Sequence, residues 1–357
     1  MTGGPAPAGV GVLGATGYAG AELVRLLSGH PGARLAAAGS RSNAGRTMSR
    51  VFPSMPAAGL VLDDDPDRPE AWLDRGVQVV FTALPHGAFA PRARAWLDAG
   101  LRVIDLSADF RLRGAGEFLE RHGVDHPDPG LLQRAVYGLT EWCGPEIDAA
   151  PLVANPGCYA TAVLLGLLPA IHAGWGSSEP IIVNAISGVS GAGRSPSLST
   201  HFAECDGSVA PYRVGEEHPH LAEILQAMGR VGESAPGPVI FNPHLAPMSR
   251  GILASMAFRL GRPVDSGRAR ELYAARYAGS PFVRVLDEGA LPETRHVRGS
   301  NRCDLAVRTA AGGSVLMVFA AIDNLIKGAA GQAVQNFNRM MGWPEETALP
   351  LAGWSCA

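Results

Sequence analysis

The chain has 357 residues, 46% of them hydrophobic, and a formal net charge of −3. That is ample for two domains and a large core. No run of like charges points to nucleic acid or a membrane surface, and no stretch of about 18 uninterrupted apolar residues exists to cross a bilayer. The five cysteines (143, 158, 205, 303 and 356) are scattered, odd in number and without a CxxC pair. This fits a reducing cytoplasm and argues against a disulfide frame or a zinc centre. Lys327 is the sole lysine among 30 basic residues, so Schiff-base chemistry is excluded everywhere else.

In chain order, the Gly/Pro/Ala-rich start from Met1 to Gly9 reads as a loose tail without the basic region of a signal peptide. Val10-Gly11-Val12-Leu13 predicts a strand, and Ala21 to Leu27 has helical apolar spacing. Between them lies Gly14-Ala15-Thr16-Gly17-Tyr18-Ala19-Gly20. A bare Gly-x-x-Gly-x-x-Gly string is weak evidence, because a composition this rich in glycine yields about 0.7 matches by chance. Strand before and helix after raise it to a dinucleotide fingerprint, in which pyrophosphate approaches a helix N-terminus. The second strand, Arg34 to Ala38, runs into Gly39-Ser40-Arg41-Ser42 rather than an acid. A hydroxyl and a guanidinium suit a ribose 2′-phosphate, which favours NADP over NAD.

Strands follow at Val77–Ala83 and Leu101–Leu106. Each ends in a loop with binding chemistry, Leu84-Pro85-His86-Gly87 and Ser107-Ala108-Asp109-Phe110-Arg111, where open α/β sheets take ligands. His86 serves equally well as a helix cap. Leu152-Val153-Ala154 predicts another strand and Ala162–Leu168 a buried helix. The segment Asn155-Pro156-Gly157-Cys158 joins them, with Asn155 as expected N-cap and Pro156 in the first turn. Cys158 is therefore expected at a helix N-terminus, which favours a thiolate nucleophile; the alternative is a small buried core cysteine.

Beyond residue 156 the strand–helix alternation loosens into an α+β pattern with a mixed sheet. Strands are expected at 181–186, 238–242, 251–260, 281–286, 303–309 and 314–322, with a helix near 265–278. Ser187-Gly188-Val189-Ser190-Gly191-Ala192-Gly193-Arg194 suits an oxyanion or is a plain surface loop. Glu216-Glu217-His218-Pro219-His220 opens a helix over 221–228. A thiolate needs a proton partner, so one histidine is a candidate acid/base and the other a cap; a metal site lacks further ligands. Asp323 to Ala333 begins a helix rich in small residues that is expected to return to the first domain.

The chain resembles the N-acetyl-γ-glutamyl-phosphate reductase branch of the semialdehyde dehydrogenase superfamily. The resemblance covers Gly11 to about Gly342. It rests on the glycine string, Ser40-Arg41-Ser42, Asp105 to Arg111, Tyr137-Gly138-Leu139-x-Glu141 and Asn155 to Thr161. Further support comes from Ser187 to Arg194, His218-Pro219-His220, His244 to Gly251 and Asp323-Asn324-Leu325-x-Lys327-Gly328. The residue between the two histidines departs from the family, being proline where a basic or polar residue is usual.

The resemblance implies a doubly wound parallel sheet over 1–155, completed by a returning segment 323–357, and a catalytic and dimerisation domain over 156–322. It implies NADPH-dependent reduction of an acyl phosphate through a Cys158 thioester. His220 is the proton donor, with His218 as alternative. Expected cofactor contacts are Gly14, Ala15, Thr16, Gly17, Tyr18, Ser40, Arg41, Leu84, Pro85, Ser187, Gly188 and Asn324. Expected substrate contacts are Ser107, Asp109, Arg111, Asn155, Ser190, Gly191, Arg194 and Arg250, with Ser190 and Arg194 for phosphate and Arg250 for a carboxylate. No metal, nucleic acid or membrane is expected, and the assembly is expected to be a homo-oligomer, dimer or tetramer. Two readings stay open beside it: reduction of aspartyl phosphate or carrier-bound aminoadipyl phosphate, and an NADP-binding redox sensor.

Overall fold

A computed structural model describes residues 6–55, 59–64, 68–232 and 237–354. The start up to residue 5 and Cys356 lie outside the described residues. The chain divides into two compact units. One comprises residues up to Gly157 together with Ala329–Leu349; the other comprises Cys158–Gly328 and the segment from Pro350 on.

The first unit opens with β1 (Ala8–Leu13), α1 (Tyr18–Ser28) and β2 (Ala33–Gly39). It continues through β3 (Val77–Thr82), α2 (Ala90–Asp98), β4 (Arg102–Asp105), β5 (Val136–Tyr137) and β6 (Leu152–Ala154). The strands form one sheet in the order β2-β1-β3-β4-β6-β5, with every pairing parallel. β1 is buried along its whole length, as a strand covered on both faces must be. The strand order reverses between β1 and β3, and the carboxyl ends there are where such sheets bind ligands.

The second unit begins at α3 (Cys158–His172), then β7 (Ile181–Gly188), β8 (Ala210–Pro211), α4 (His220–Val231), β9 (Val239–Ala246) and β10 (Ile252–Arg259). After α5 (Ser266–Tyr277) come β11 (Val283–Val285), β12 (Cys303–Ala310) and β13 (Val315–Ile322). The sheet is mixed, in the order β11-β12-β13-β10-β7-β9-β8, as the looser sequence pattern implied. A π-helical turn, Ile326–Ala330, leads into α6 (Gly331–Met341), which belongs to the first unit.

The α3 helix is the core of the second unit, buried without interruption from Tyr159 to Ile171. Pro169 inside it has no N–H, so the Leu165 carbonyl loses its partner four residues on. The Tyr277 hydroxyl donates to that carbonyl at 2.7 Å, and the Tyr273 hydroxyl donates to Gly166 at 2.6 Å. The Tyr277 phenol thus replaces the donor that Pro169 lacks, and Tyr273 bonds the next carbonyl along. Burial raises the Tyr273 pKa, which keeps the phenol a donor.

Candidate active site

In the first unit the glycine string makes the turn from β1 into α1. Gly14 holds φ +77°, and a Cβ there would sit 2.3 Å from the Ala83 carbonyl oxygen. A Cβ on Gly20 would sit 2.1 Å from the Gly14 carbonyl oxygen, so helix and turn pack backbone to backbone. Gly14 and Ala15 both donate N–H to the Gly39 carbonyl at 3.0 Å, tying the turn to the end of β2. Thr16 and Ser40 share a hydroxyl hydrogen bond of 2.7 Å. Tyr18 opens α1, and Gly17 before it is its cap residue. The bare, tight turn at a helix N-terminus fits a dinucleotide pyrophosphate.

Arg41 is exposed just past β2, in a 3-10 turn reaching Asn43. Arg92 on α2 lies near enough for Arg41 to help lower its pKa, after burial. Two guanidiniums at this end of the cradle favour an anion, and Arg92 carries no motif that would have revealed it in the sequence.

The loops after β3 and β4 lock together. The Asp109 carboxylate accepts from Gly87 N–H at 2.6 Å, Phe89 N–H at 3.2 Å and Ala90 N–H at 3.0 Å. It therefore supports the N-terminus of α2 and holds the loop that begins with Leu84 and Pro85. His86 accepts from Ala108 N–H at 2.8 Å, fixing the same loop. Ser107 donates to Asp105 at 2.6 Å, and Thr82 donates to the other oxygen. Burial, then the Asp109 charge, pushes Asp105 up to about 6. The Arg111 guanidinium donates to the carbonyls of Asn155 at 2.8 Å and Leu106 at 2.7 Å.

The expected cap at Asn155 needs correction. The helix begins at Cys158, so Asn155 and Pro156 lie outside it. The Asn155 amide instead accepts from Asn336 on α6 at 3.0 Å and donates to the Ala329 carbonyl at 3.2 Å. That partnership spans 181 residues, which no local pattern encodes. Asn336 in turn accepts from Thr140 at 2.7 Å, and Gln332 donates to Thr140 at 2.6 Å. Ser107, Asp109, Arg111 and Asn155 are all buried, and the contacts just given fix the ends of β3, β4 and β6.

In the second unit Cys158 is half-buried at the first position of α3, as the sequence suggested. Beside it stands Tyr159, whose hydroxyl accepts from Tyr212 at 3.0 Å and donates to the His244 carbonyl at 3.3 Å. The Tyr159 ring meets those of His218, His220 and Phe241 edge-on, with centroids 5.5, 5.9 and 5.5 Å away. The two histidine rings stand 4.7 Å apart. Burial first, and Cys158 among lesser causes, raise the pKa values of both phenols. Tyr159, the residue after Cys158, thus gathers Tyr212, His218 and His220 around it. The tyrosines were not singled out from the sequence, although Tyr159 adjoins the cysteine.

The two histidines differ. His218 is 6% exposed, and its Nδ1 accepts the His220 backbone N–H at 3.2 Å. Burial, then the nearby Arg213, pushes its pKa down to about 4. It is therefore a neutral ring near pH 7. His220 is the first residue of α4, following Pro219 as cap residue. Arg213 itself holds φ +43°, a costly conformation for a residue with a side chain.

A third cluster lies at the end of β7. The Asn324 amide accepts from Gly251 N–H at 2.8 Å and donates to the Ser190 hydroxyl at 3.0 Å. A Cβ on Gly188 would sit 2.7 Å from the Met248 carbonyl oxygen, and one on Gly191 would sit 3.1 Å from the Ser187 hydroxyl. Arg250 lies 3.7 Å from the buried Asp323 carboxylate and stacks over Trp354 at 5.8 Å. Ser187, Gly188, Ser190, Gly191, Asn324 and Arg250 are thus one neighbourhood. Arg194 is exposed further along the loop, beyond Gly193 at φ +85°. No group of three or more metal-ligating side chains occurs among the described residues, and no helix there is long and apolar enough to cross a membrane.

A parallel dinucleotide-type unit followed by a mixed-sheet unit that opens on a helix-terminal cysteine defines a class. Residues 9–150 match the family model described as the NAD binding domain of semialdehyde dehydrogenase, and residues 158–324 match its dimerisation domain. Aspartate semialdehyde dehydrogenase II of Vibrio cholerae, solved with ASA, has the same fold, with a TM-score of 0.71 at 16% identity over 95% of this chain and 99% of that one. The Candida albicans aspartate semialdehyde dehydrogenase solved with NADP has a TM-score of 0.66 at 17% identity, covering 94% of this chain and 99% of that one. Sequence narrows the class further. N-acetyl-gamma-glutamyl-phosphate reductase of Moorella thermoacetica is 46% identical over 96% of this chain and 98% of its own length. The relative of that name from Laribacter hongkongensis is also 46% identical, with the same coverage. The chain belongs to the N-acetyl-gamma-glutamyl-phosphate reductase family.

Proposed function

We propose that the chain reduces N-acetyl-γ-glutamyl phosphate to the semialdehyde and phosphate with NADPH, a step of arginine biosynthesis. The observation that carries this reading is Cys158 at the head of α3, followed by Tyr159 whose ring meets those of His218 and His220, in a chain 46% identical to relatives of that name. The Cys158 thiolate attacks the acyl carbon, the C–O bond to phosphate breaks, and a thioester forms. NADPH, when bound, would supply the hydride that reduces that carbon. The tetrahedral oxyanion then collapses to the aldehyde as the C–S bond breaks, and His220 would protonate the departing sulfur. His218, held neutral, positions the ring cluster rather than supplying the proton.

The glycine turn with Tyr18, Leu84 and Pro85, and the Ser187, Gly188 and Asn324 neighbourhood, would hold the dinucleotide, with Ser40 and Arg41 at the 2′-phosphate. Ser190, Gly191 and Arg194 would bind the leaving phosphate, and Arg250 the substrate carboxylate. Ser107, Asp109, Arg111 and Asn155, buried at the strand ends of the first unit, would contact the substrate. Two or more copies would associate through the second unit, in the cytoplasm. The experiment is oxidation of NADPH with N-acetyl-γ-glutamyl phosphate, read against aspartyl phosphate. Turnover of the first alone is expected; turnover of aspartyl phosphate alone overturns the substrate, and NADPH binding without turnover of either overturns the reductase.

A further inference from the structure

The segment that follows β13 holds one turn of π-helix, Ile326–Ala330. Gly328 donates its N–H to the Asp323 carbonyl five residues back, at 2.9 Å. The Asp323 carboxylate pins the start of that turn. It accepts from Leu325 N–H at 2.8 Å and Ile326 N–H at 3.2 Å through one oxygen, and from Gly299 N–H at 2.8 Å through the other. Lys327 is fully buried, with its ammonium 5.6 Å from the centre of the Phe282 ring. π turns insert one extra residue and recur at functional sites. Here the turn sets bare backbone against the nucleophile. A Cβ on Gly328 would lie 2.7 Å from the Cys158 Cβ, 3.2 Å from its Cα and 3.3 Å from the Ile322 Cδ1. Neither cysteine atom can swing away without moving the first turn of α3.

We infer that Gly328 is a positioning residue for Cys158. The glycine backbone of the π turn is the wall that sets where the cysteine side chain stands, and any side chain at 328 displaces it. The inference rests on Cys158 as the nucleophile, so its test includes thiol reactivity, which needs no turnover. A displacement of about 1 Å at a reacting atom costs on the order of a hundredfold in rate.

The test compares Gly328→Ala with Gly166→Ala in purified full-length protein. Gly166 is a fair control, because a Cβ there meets the flexible end of Met256 (Cε at 2.4 Å) rather than backbone. The readouts are kcat, KM for NADPH, Tm, and the rate of Cys158 alkylation by iodoacetamide as a function of pH. Gly328→Ala is expected to lower kcat by roughly ten- to a hundredfold and to change the rate or midpoint of the alkylation profile. KM for NADPH is expected within about twofold of wild type, and Gly166→Ala is expected to keep the wild-type profile. A Gly328→Ala protein with wild-type kcat, or one with a lower Tm and an unchanged alkylation profile, overturns the inference. If Gly328→Ala does not fold, Cys158→Gly in the same chain removes the opposing Cβ. Recovery of folded protein then supports the contact, and continued failure to fold overturns it.

Discussion

The residue that matters most is Cys158, and its neighbours decide how it is tested. Cys158→Ser is expected to lose more than about 99% of turnover while NADP affinity, measured by fluorescence titration, stays near wild type. The serine keeps the shape but is a poor nucleophile, and no atom of Cys158 belongs to the glycine turn. Iodoacetamide is expected to label Cys158 ahead of Cys143 and Cys205, which are also half-buried, and well ahead of the buried Cys303. The histidine pair separates by environment. His218 titrates near 4, so His218→Asn is expected to leave the shape of the kcat profile unchanged between about pH 5.5 and 9, whatever it does to its height. His220→Asn is expected to lower kcat strongly and flatten one limb. A lost limb in the His218 variant alone would exchange the two roles. Pro219 and the helix start were readable in the sequence, but the depressed basicity of His218 was not. It comes from burial against Tyr159, Tyr212 and Phe241, which arrive from three other segments.

Among elements, strands and helices were legible wherever a period held over several residues. The strands expected at 303–309 and 314–322 appear as β12 and β13, and the helix near 265–278 as α5. Starts and ends were read less well. The α3 start was misplaced because asparagine followed by proline looks like a local cap, whereas the Asn155 amide is engaged by α6 far along the chain. The π turn was likewise invisible, since its residues continue a plausible helical pattern. Two predictions belong at this scale. Arg41→Asp at the end of β2 is expected to weaken NADP far more than NAD, because the new carboxylate repels a 2′-phosphate and accepts from a free hydroxyl. Equal losses in the two titrations would pass the role to Ser40 or Arg46. Tyr277→Phe is expected to destabilise the protein by about 1–3 kcal/mol, since the Leu165 carbonyl is then buried without a donor. An unchanged unfolding midpoint in urea would mean that water replaces the phenol.

For the whole molecule, acid is the expected weakness. Burial lowers the pKa values of His30, His122, His126 and His218 in the folded state. The unfolded chain takes up those protons near pH 6.5 and the native one does not, so stability falls as pH drops below about 6.5. Asp105 acts oppositely. Raised to about 6, it is protonated in the native state first, so acidification between about 6 and 4 relieves part of its cost. Glu117, also raised by burial, acts with Asp105, so four histidines oppose two carboxyls. Tm is expected to fall between about pH 6.5 and 5, at roughly 2–4 °C for each kcal/mol lost. A Tm that rises over that interval would mean Asp105 outweighs the histidines. One further property follows from Lys327, the sole lysine, sealed inside the second unit as a residue of the π turn. The described surface offers arginine in place of side-chain amines. Acylating reagents, aldehyde fixatives and lysine acetylation should find no side-chain amine while the fold is closed. Modification of Lys327 thereby becomes a direct count of how often the turn behind the nucleophile opens.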